Sequence, residues 1–151
     1  LTQRGGLVIS DRGIKESKIL KNISRKKKLK TIFLGKNADL QILDISKFKD
    51  LQLVKFKFNN KVYSFTTKLI GKTQIINLLM AVIAASKLID ISKIVNKLTY
   101  VVPVNGRFEN IGKLFNNSKV ILDYSHTPKA LETWFTNTSF VFSESNSSKA
   151  G

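Results

Sequence analysis

Two kinds of hydrophobic pattern follow each other along the chain and predict two kinds of strand. Leu7-Val8-Ile9 and residues 31–34 are short, continuous apolar runs, which are typical of strands buried on both faces of a parallel sheet. Between them, apolar residues at positions 14, 19, 20 and 23 repeat with the spacing of a helix. A strand, a helix and a strand in this order predict a parallel βαβ unit and therefore an α/β fold.

From residue 40 onward, apolar and polar residues alternate instead. The alternation covers residues 40–45, 52–58 and 61–69, and it is typical of antiparallel strands that have one face in water. Asn59-Asn60 separates the last two runs, and such a pair favours the positive φ angles of a two-residue hairpin turn. We therefore predict an antiparallel hairpin region beside the parallel sheet.

The second half of the chain predicts helices and one more strand. Residues 75–88 have the strongest helical pattern, and Asp90 is suited to cap a second, shorter helix. Residues 119–122 predict a strand that ends at Asp123, and Pro128 favours the first turn of another helix. No apolar run reaches the roughly 18–20 residues of a membrane span, so we predict none.

The charge of the chain suggests nucleic acid as a partner, but the kind of basic residue argues against it. The formal net charge is +16, with 26 basic residues against 10 acidic ones. Proteins that recognise the bases and phosphates of nucleic acids favour arginine. In this chain arginine occurs only at positions 4, 12, 25 and 107. The densest run, Arg25-Lys26-Lys27-Lys28, has no interleaved aromatic residues and is typical of a solvated helix end or loop. A small basic module that binds RNA or a ribosomal surface is the alternative function.

The first cluster of candidate functional residues surrounds the start of the predicted helix. Gly71-Lys72-Thr73 looks like the end of a phosphate loop, but the upstream glycine that such a loop requires is missing. Asn77 carries a side-chain amide with two donors and two acceptors. It is either a cap or core amide, or a contact to the edge of a base or of another flat polar ligand.

Two further clusters follow. In Asn105-Gly106-Arg107-Phe108-Glu109, a glycine before an arginine can allow the guanidinium to face a phosphate. The alternative is a surface ion pair between Arg107 and Glu109, which would contribute little stability. Asp123 and His126, the single histidine, follow a predicted strand and precede a helix, which is where α/β sheets bind ligands. Asp123 is suited to accept from ribose hydroxyls, whereas a structural role for His126 is as plausible as a functional one.

Taken in order, the three clusters resemble the Mur ligases. The matching pattern is Gly71-x-x-Gln74-Ile75-x-Asn77-Leu78-Leu79-x-Ala81, then Gly106-Arg107-Phe108-Glu109, then Asp123-Tyr124-Ser125-His126-Thr127-Pro128. Within the family, the acid-Tyr-small-His-Thr-Pro run resembles the UDP-N-acetylmuramoyl-tripeptide synthetases. Thr73 stands where the family commonly has Phe, Ser125 where it commonly has Ala, and residues 143–151 resemble no part of it.

The resemblance implies a fold and a domain division. Residues 1–105 would be the second half of the central ATP-binding domain, with a parallel sheet and an antiparallel hairpin region. Residues 106–151 would be the hinge and the start of a Rossmann-like C-terminal domain, divergent or truncated from about residue 136.

It also implies an activity. The chain would be a fragment, inactive alone, of a cytoplasmic bacterial ligase for peptidoglycan synthesis. That enzyme uses ATP and Mg²⁺ to add meso-diaminopimelate or lysine to UDP-MurNAc-L-Ala-D-Glu through an acyl phosphate. The implied nucleotide-binding residues are Asn77, Arg107, Asp123 and His126. The phosphate loop, the Mg²⁺ ligands and a modified lysine precede the Leu7 strand in the family, so we expect no catalytic or metal-binding residue in this chain.

Overall fold

A computed structural model describes residues 5–49, 51–116, 118–132 and 134–135. Five strands form one sheet in the order β1-β2-β3-β4-β5, and β6 and β7 form a second, two-stranded sheet. The elements are β1 (Leu7–Asp11), α1 (Ser17–Lys26), β2 (Lys30–Leu34), β3 (Leu40–Phe48), β4 (Leu51–Phe58), β5 (Lys61–Thr67), α2 (Lys72–Ala85), α3 (Ile91–Val95), a 3-10 turn (Leu98–Tyr100), β6 (Glu109–Lys113) and β7 (Lys119–Leu122).

The first three elements form the predicted parallel unit. Strands β1 and β2 pair in parallel from Leu7↔Lys30 to Asp11↔Leu34, and α1 connects them, while β1 lies at the edge of the sheet. Helix α1 begins later than its apolar pattern suggested, because the Gly13 amide donates to Asp11 Oδ1 at 2.8 Å and holds a turn after β1. The α/β fold predicted from the sequence is confirmed.

The antiparallel region is also confirmed, and it belongs to the same sheet. Strand β3 meets β2 in parallel through Leu34↔Leu40 and then pairs antiparallel with β4, which pairs antiparallel with β5. The turn between β4 and β5 has φ of 49° at Asn59 and 60° at Asn60. Positive φ at both central residues is the geometry of a type I′ turn, for which asparagine is well suited.

Helix α2 covers one face of this sheet and forms the core with it. Ile75, Leu79, Val82 and Ile83 of the helix are buried together with Val54, Phe56 and Phe65 of the sheet. The helix begins and ends three residues before the predicted bounds: Gly71, with φ of 89°, precedes Lys72, and Leu88 is 89% exposed beyond the helix end. No helix within the described ranges is long and apolar enough to cross a membrane.

The second half of the chain leads to the candidate site. Asp90 caps α3 by accepting from the Ser92 amide at 2.9 Å, as predicted. Strand β7 ends at Leu122, directly before Asp123, and residues 128–132 and 134–135 are helical. The Thr127 hydroxyl accepts from the Ala130 amide at 3.2 Å and so caps this helix. The Ser- and Asn-rich tail, residues 136–151, lies outside the described residues.

Candidate functional site

A cleft of about 770 Å³ lies between the start of α2 and the segments that flank β6 and β7. Asn77 lines it from α2, Arg107 from the loop before β6, and Asp123 from the end of β7. The volume is within the roughly 300–1,000 Å³ range of small-molecule sites. The structure therefore brings three of the four candidate nucleotide-binding residues together.

Asn77 is exposed on the second turn of α2, and its side chain lines the cleft. Its amide makes no hydrogen bond with any residue that the structure describes. The position before the helix is occupied by Gly71, without a side-chain cap. These observations exclude the cap and core-amide alternatives and leave the donors and acceptors of Asn77 available to a ligand.

The loop that carries Arg107 is shaped by two residues with positive φ. Gly106 has φ of 71° and Phe108 has φ of 51°. Glu109 Oε2 accepts from the Gly106 amide at 2.7 Å, so this carboxylate stabilises the turn. An Arg107–Glu109 ion pair, the alternative considered for this segment, is not formed. Gln74 Nε2 donates to the Arg107 carbonyl at 3.2 Å and ties the loop to α2.

Asp123 joins the end of β7 to the same loop. Its Oδ2 accepts from the Phe108 amide at 2.7 Å, and its Oδ1 accepts from the Ser125 amide at 2.8 Å and from the Ser125 hydroxyl. An ionised carboxylate has about four lone-pair positions, so about one remains for a ligand. The structure thus gives Asp123 a role in holding the loop, while its contact to ribose stays a prediction.

His126 is not among the residues that line the cleft. Asp123, Ser125 and Thr127 line the cleft, whereas Tyr124 and His126, which alternate with them along the chain, do not. The His126 ring instead lies edge-on to the Tyr124 ring, with centroids 5.0 Å apart. A role for His126 in nucleotide binding stays a prediction that this geometry does not favour.

Two aromatic side chains that the sequence did not single out also line the cleft. Phe108 is buried and packs against Trp134 with ring centroids 6.0 Å apart. The signal that pointed to them was weak: Trp134 is the single tryptophan of the chain, and Phe108 belongs to the Gly-Arg-Phe-Glu motif. Together they provide an apolar wall beside the polar groups of Asn77, Arg107 and Asp123.

The described ranges contain no group of three or more His, Cys, Asp or Glu side chains that could hold a metal ion. The Gly71-Lys72-Thr73 run follows β5, which pairs antiparallel with β4, rather than a strand of the parallel unit. A phosphate loop joins a parallel strand to a helix through a longer glycine-rich turn. The Gly71-Lys72-Thr73 run therefore does not form a phosphate loop of this kind.

Comparison with known proteins decides the family. The sequence model of the Mur ligase middle domain matches residues 2–85, which is more than half of the 151 residues. The chain belongs to the Mur ligase family. The UDP-N-acetylmuramoyl-L-alanyl-D-glutamate–2,6-diaminopimelate ligase of Rickettsia felis is 42% identical over 130 residues, which are 85% of this chain and 24% of that protein. The ligase of the same name from Aquifex aeolicus is 35% identical over 101 residues, 67% of this chain and 20% of that protein.

Solved structures confirm the fold of this Mur ligase chain. MurF from Acinetobacter baumannii superposes with a TM-score of 0.72 at 17% identity, covering 85% of this chain and 28% of that protein. MurF ligase from Thermotoga maritima, determined in complex with ADP, gives a TM-score of 0.70 at 17% identity over 89% of this chain and 30% of that protein. The Mur ligase chain thus spans about a quarter of the length of the curated relatives it matches.

Proposed function

We propose that this chain is part of an ATP-dependent ligase that adds a diamino acid to UDP-MurNAc-L-Ala-D-Glu during peptidoglycan synthesis in the bacterial cytoplasm. The names of its relatives, which are 2,6-diaminopimelate ligases, favour diaminopimelate over lysine as the added amino acid. Residues 1–105 belong to the central domain in this proposal, and residues 106–151 to the hinge and the C-terminal domain. Family membership leaves the alternative of an RNA- or ribosome-binding module without support.

The observation that carries the proposal is the convergence of Asn77, Arg107 and Asp123 on one cleft. The amide of Asn77 has the donor and the acceptor that an adenine edge requires. The guanidinium of Arg107 suits a phosphate oxygen, and the remaining acceptor position of Asp123 suits a ribose hydroxyl. Phe108 and Trp134 provide an apolar wall for the flat base. This chain therefore contributes the adenosine side of the ATP site.

In the proposed reaction, ATP phosphorylates the D-glutamyl carboxylate, and the amine of the diamino acid then displaces phosphate from the acyl phosphate. The role of this chain in the reaction is positional: Asn77 orients the base and Arg107 neutralises charge on the phosphates. When bound with ATP, Mg²⁺ supplies charge neutralisation at the transferred phosphoryl group. No group of three or more His, Cys, Asp or Glu side chains among the described residues could hold this ion.

Calorimetric titration of the chain with ADP tests the proposal, and the fluorescence of Trp134 in the cleft provides a second signal. Removing the amide in Asn77→Ala should weaken ADP binding about tenfold, since one or two hydrogen bonds contribute about 1–2 kcal/mol. Asn22→Ala, at an exposed position on α1, is the matched control and should bind as the wild type does. Failure of the wild-type chain to bind ADP, or equal losses in the two variants, would contradict the proposal.

A further inference from the structure

The Arg107 guanidinium lies beside the ring of Tyr124. Arg107 Cζ is 5.5 Å from the ring centroid, within the roughly 6 Å at which a cation is attracted to an aromatic face. No carboxylate of the described residues forms an ion pair with this guanidinium. Among the described residues, the Tyr124 ring is therefore the contact recorded for the charged end of Arg107.

Tyr124 itself is outside the cleft. Its neighbours Asp123 and Ser125 line the cleft, whereas Tyr124 is 67% exposed and does not. Arg107 does line the cleft. Tyr124 is therefore placed to affect a ligand in the cleft through its contact with Arg107.

Tyr124 makes two further contacts within the described residues. The Tyr124 amide donates to the Gly106 carbonyl at 2.9 Å, which fixes its backbone against the residue before Arg107. The His126 ring lies edge-on to the Tyr124 ring at 5.0 Å and 63°, and His126 Nδ1 is 3.0 Å from the Tyr124 carbonyl oxygen. The Tyr124 ring is therefore in contact with both Arg107 and His126.

We infer that Tyr124 is a positioning residue, which holds the Arg107 guanidinium toward the phosphates of a nucleotide in the cleft. The inference rests on the proposed function. An arginine side chain is long and flexible, so without the ring it loses conformational freedom when it meets a phosphate. With the ring present, part of this ordering is complete before the ligand binds, which raises affinity for ligands that carry phosphate.

The test compares the affinities of the chain for ADP and for adenosine, since only ADP carries the phosphates that Arg107 would contact. Tyr124→Leu should weaken ADP binding about two- to fivefold, the range expected for an exposed cation–π contact, and leave adenosine binding unchanged. Tyr124→Phe keeps the ring and should retain the affinity of the wild type for both ligands. Tyr100→Leu is the matched control, because Tyr100 is 77% exposed, lies 5.8 Å below Lys97 Nζ and does not line the cleft.

A double-mutant cycle makes the test specific to Arg107. In an Arg107→Ala background, Tyr124→Leu should have no further effect on ADP affinity. A persisting effect, or an equal loss of adenosine affinity in Tyr124→Leu alone, overturns the inference and leaves the proposed function standing. A wild-type chain that binds neither ADP nor adenosine overturns the proposed function and the inference with it.

Discussion

Replacing Asp123 with asparagine tests whether this side chain holds the Arg107 loop against the end of β7. The carboxylate accepts from the Phe108 amide at 2.7 Å on one oxygen and from the Ser125 amide at 2.8 Å on the other. Asparagine has nearly the same shape but one acceptor oxygen, so one of the two amides must lose its partner. A hydrogen bond to a charged group contributes about 1.5–3 kcal/mol. Because Asp123 is partly exposed, we expect the lower end of that range.

The loss should be local, so the assay must be local as well. Amide hydrogen exchange measures the opening of individual backbone hydrogen bonds. A loss of about 1.5 kcal/mol corresponds to a roughly tenfold change in an opening equilibrium. We expect the amide of Phe108 or that of Ser125 to exchange about tenfold faster in Asp123→Asn than in the wild type.

The matched control is Asp90→Asn, which changes a carboxylate that also accepts from a nearby amide, that of Ser92 at 2.9 Å. Asparagine is as good an N-cap as aspartate, and Asp90 is not among the residues lining the cleft. Exchange at Phe108 and Ser125 should therefore be unchanged in this variant. Unchanged exchange at both amides in Asp123→Asn would refute the role of Asp123 in holding the loop.

Two further predictions concern the core and the chemistry. Leu79 is fully buried in α2, so Leu79→Ala should lower the free energy of unfolding in urea by about 2–5 kcal/mol. Leu88→Ala, at an 89% exposed position, should change it by less than about 0.5 kcal/mol, and similar losses in the two variants would contradict the packing of α2. The chain alone should release no phosphate from ATP and Mg²⁺ above a protein-free blank, because phosphoryl transfer requires a phosphate loop and a bound metal. Turnover that Arg107→Ala abolishes would show that the active site is in this chain.

Local sequence patterns were sufficient to predict those elements whose structure depends on interactions between residues close together in the chain. The continuous apolar run Leu7-Val8-Ile9 predicted a parallel strand, and Asn59-Asn60 predicted the hairpin, because the φ preference of asparagine acts within the turn itself. The bounds of α2 were less accurate. Apolar spacing marks the buried stripe of a helix, whereas the first residue of α2 depends on the backbone of Gly71.

Three of the four residues predicted for the candidate site lie at one cleft, but their contacts were not predicted. Motif positions indicated Asn77, Arg107 and Asp123, and the structure brings these residues to one cleft. The bond from Gln74 to the Arg107 carbonyl joins residues 33 positions apart, and the bond from Phe108 to Asp123 spans 15 positions. No periodic pattern encodes such contacts, because they depend on how separate elements pack. The motif alone also did not reveal that Tyr124 and His126 lie outside the set of residues that line the cleft.

The position of β1 at the edge of the sheet has a consequence for handling this chain in solution. On the side away from β2, β1 has no strand partner among the described residues, and its apolar residues from Leu7 to Ile9 remain partly exposed. Ile19 and Ile23, one turn apart on α1, are 59% and 45% exposed. The unpaired backbone groups of an exposed apolar edge strand can form hydrogen bonds with a strand of another polypeptide, whether a copy of this chain or a different protein. We therefore expect association of chains through β1 to increase with protein concentration.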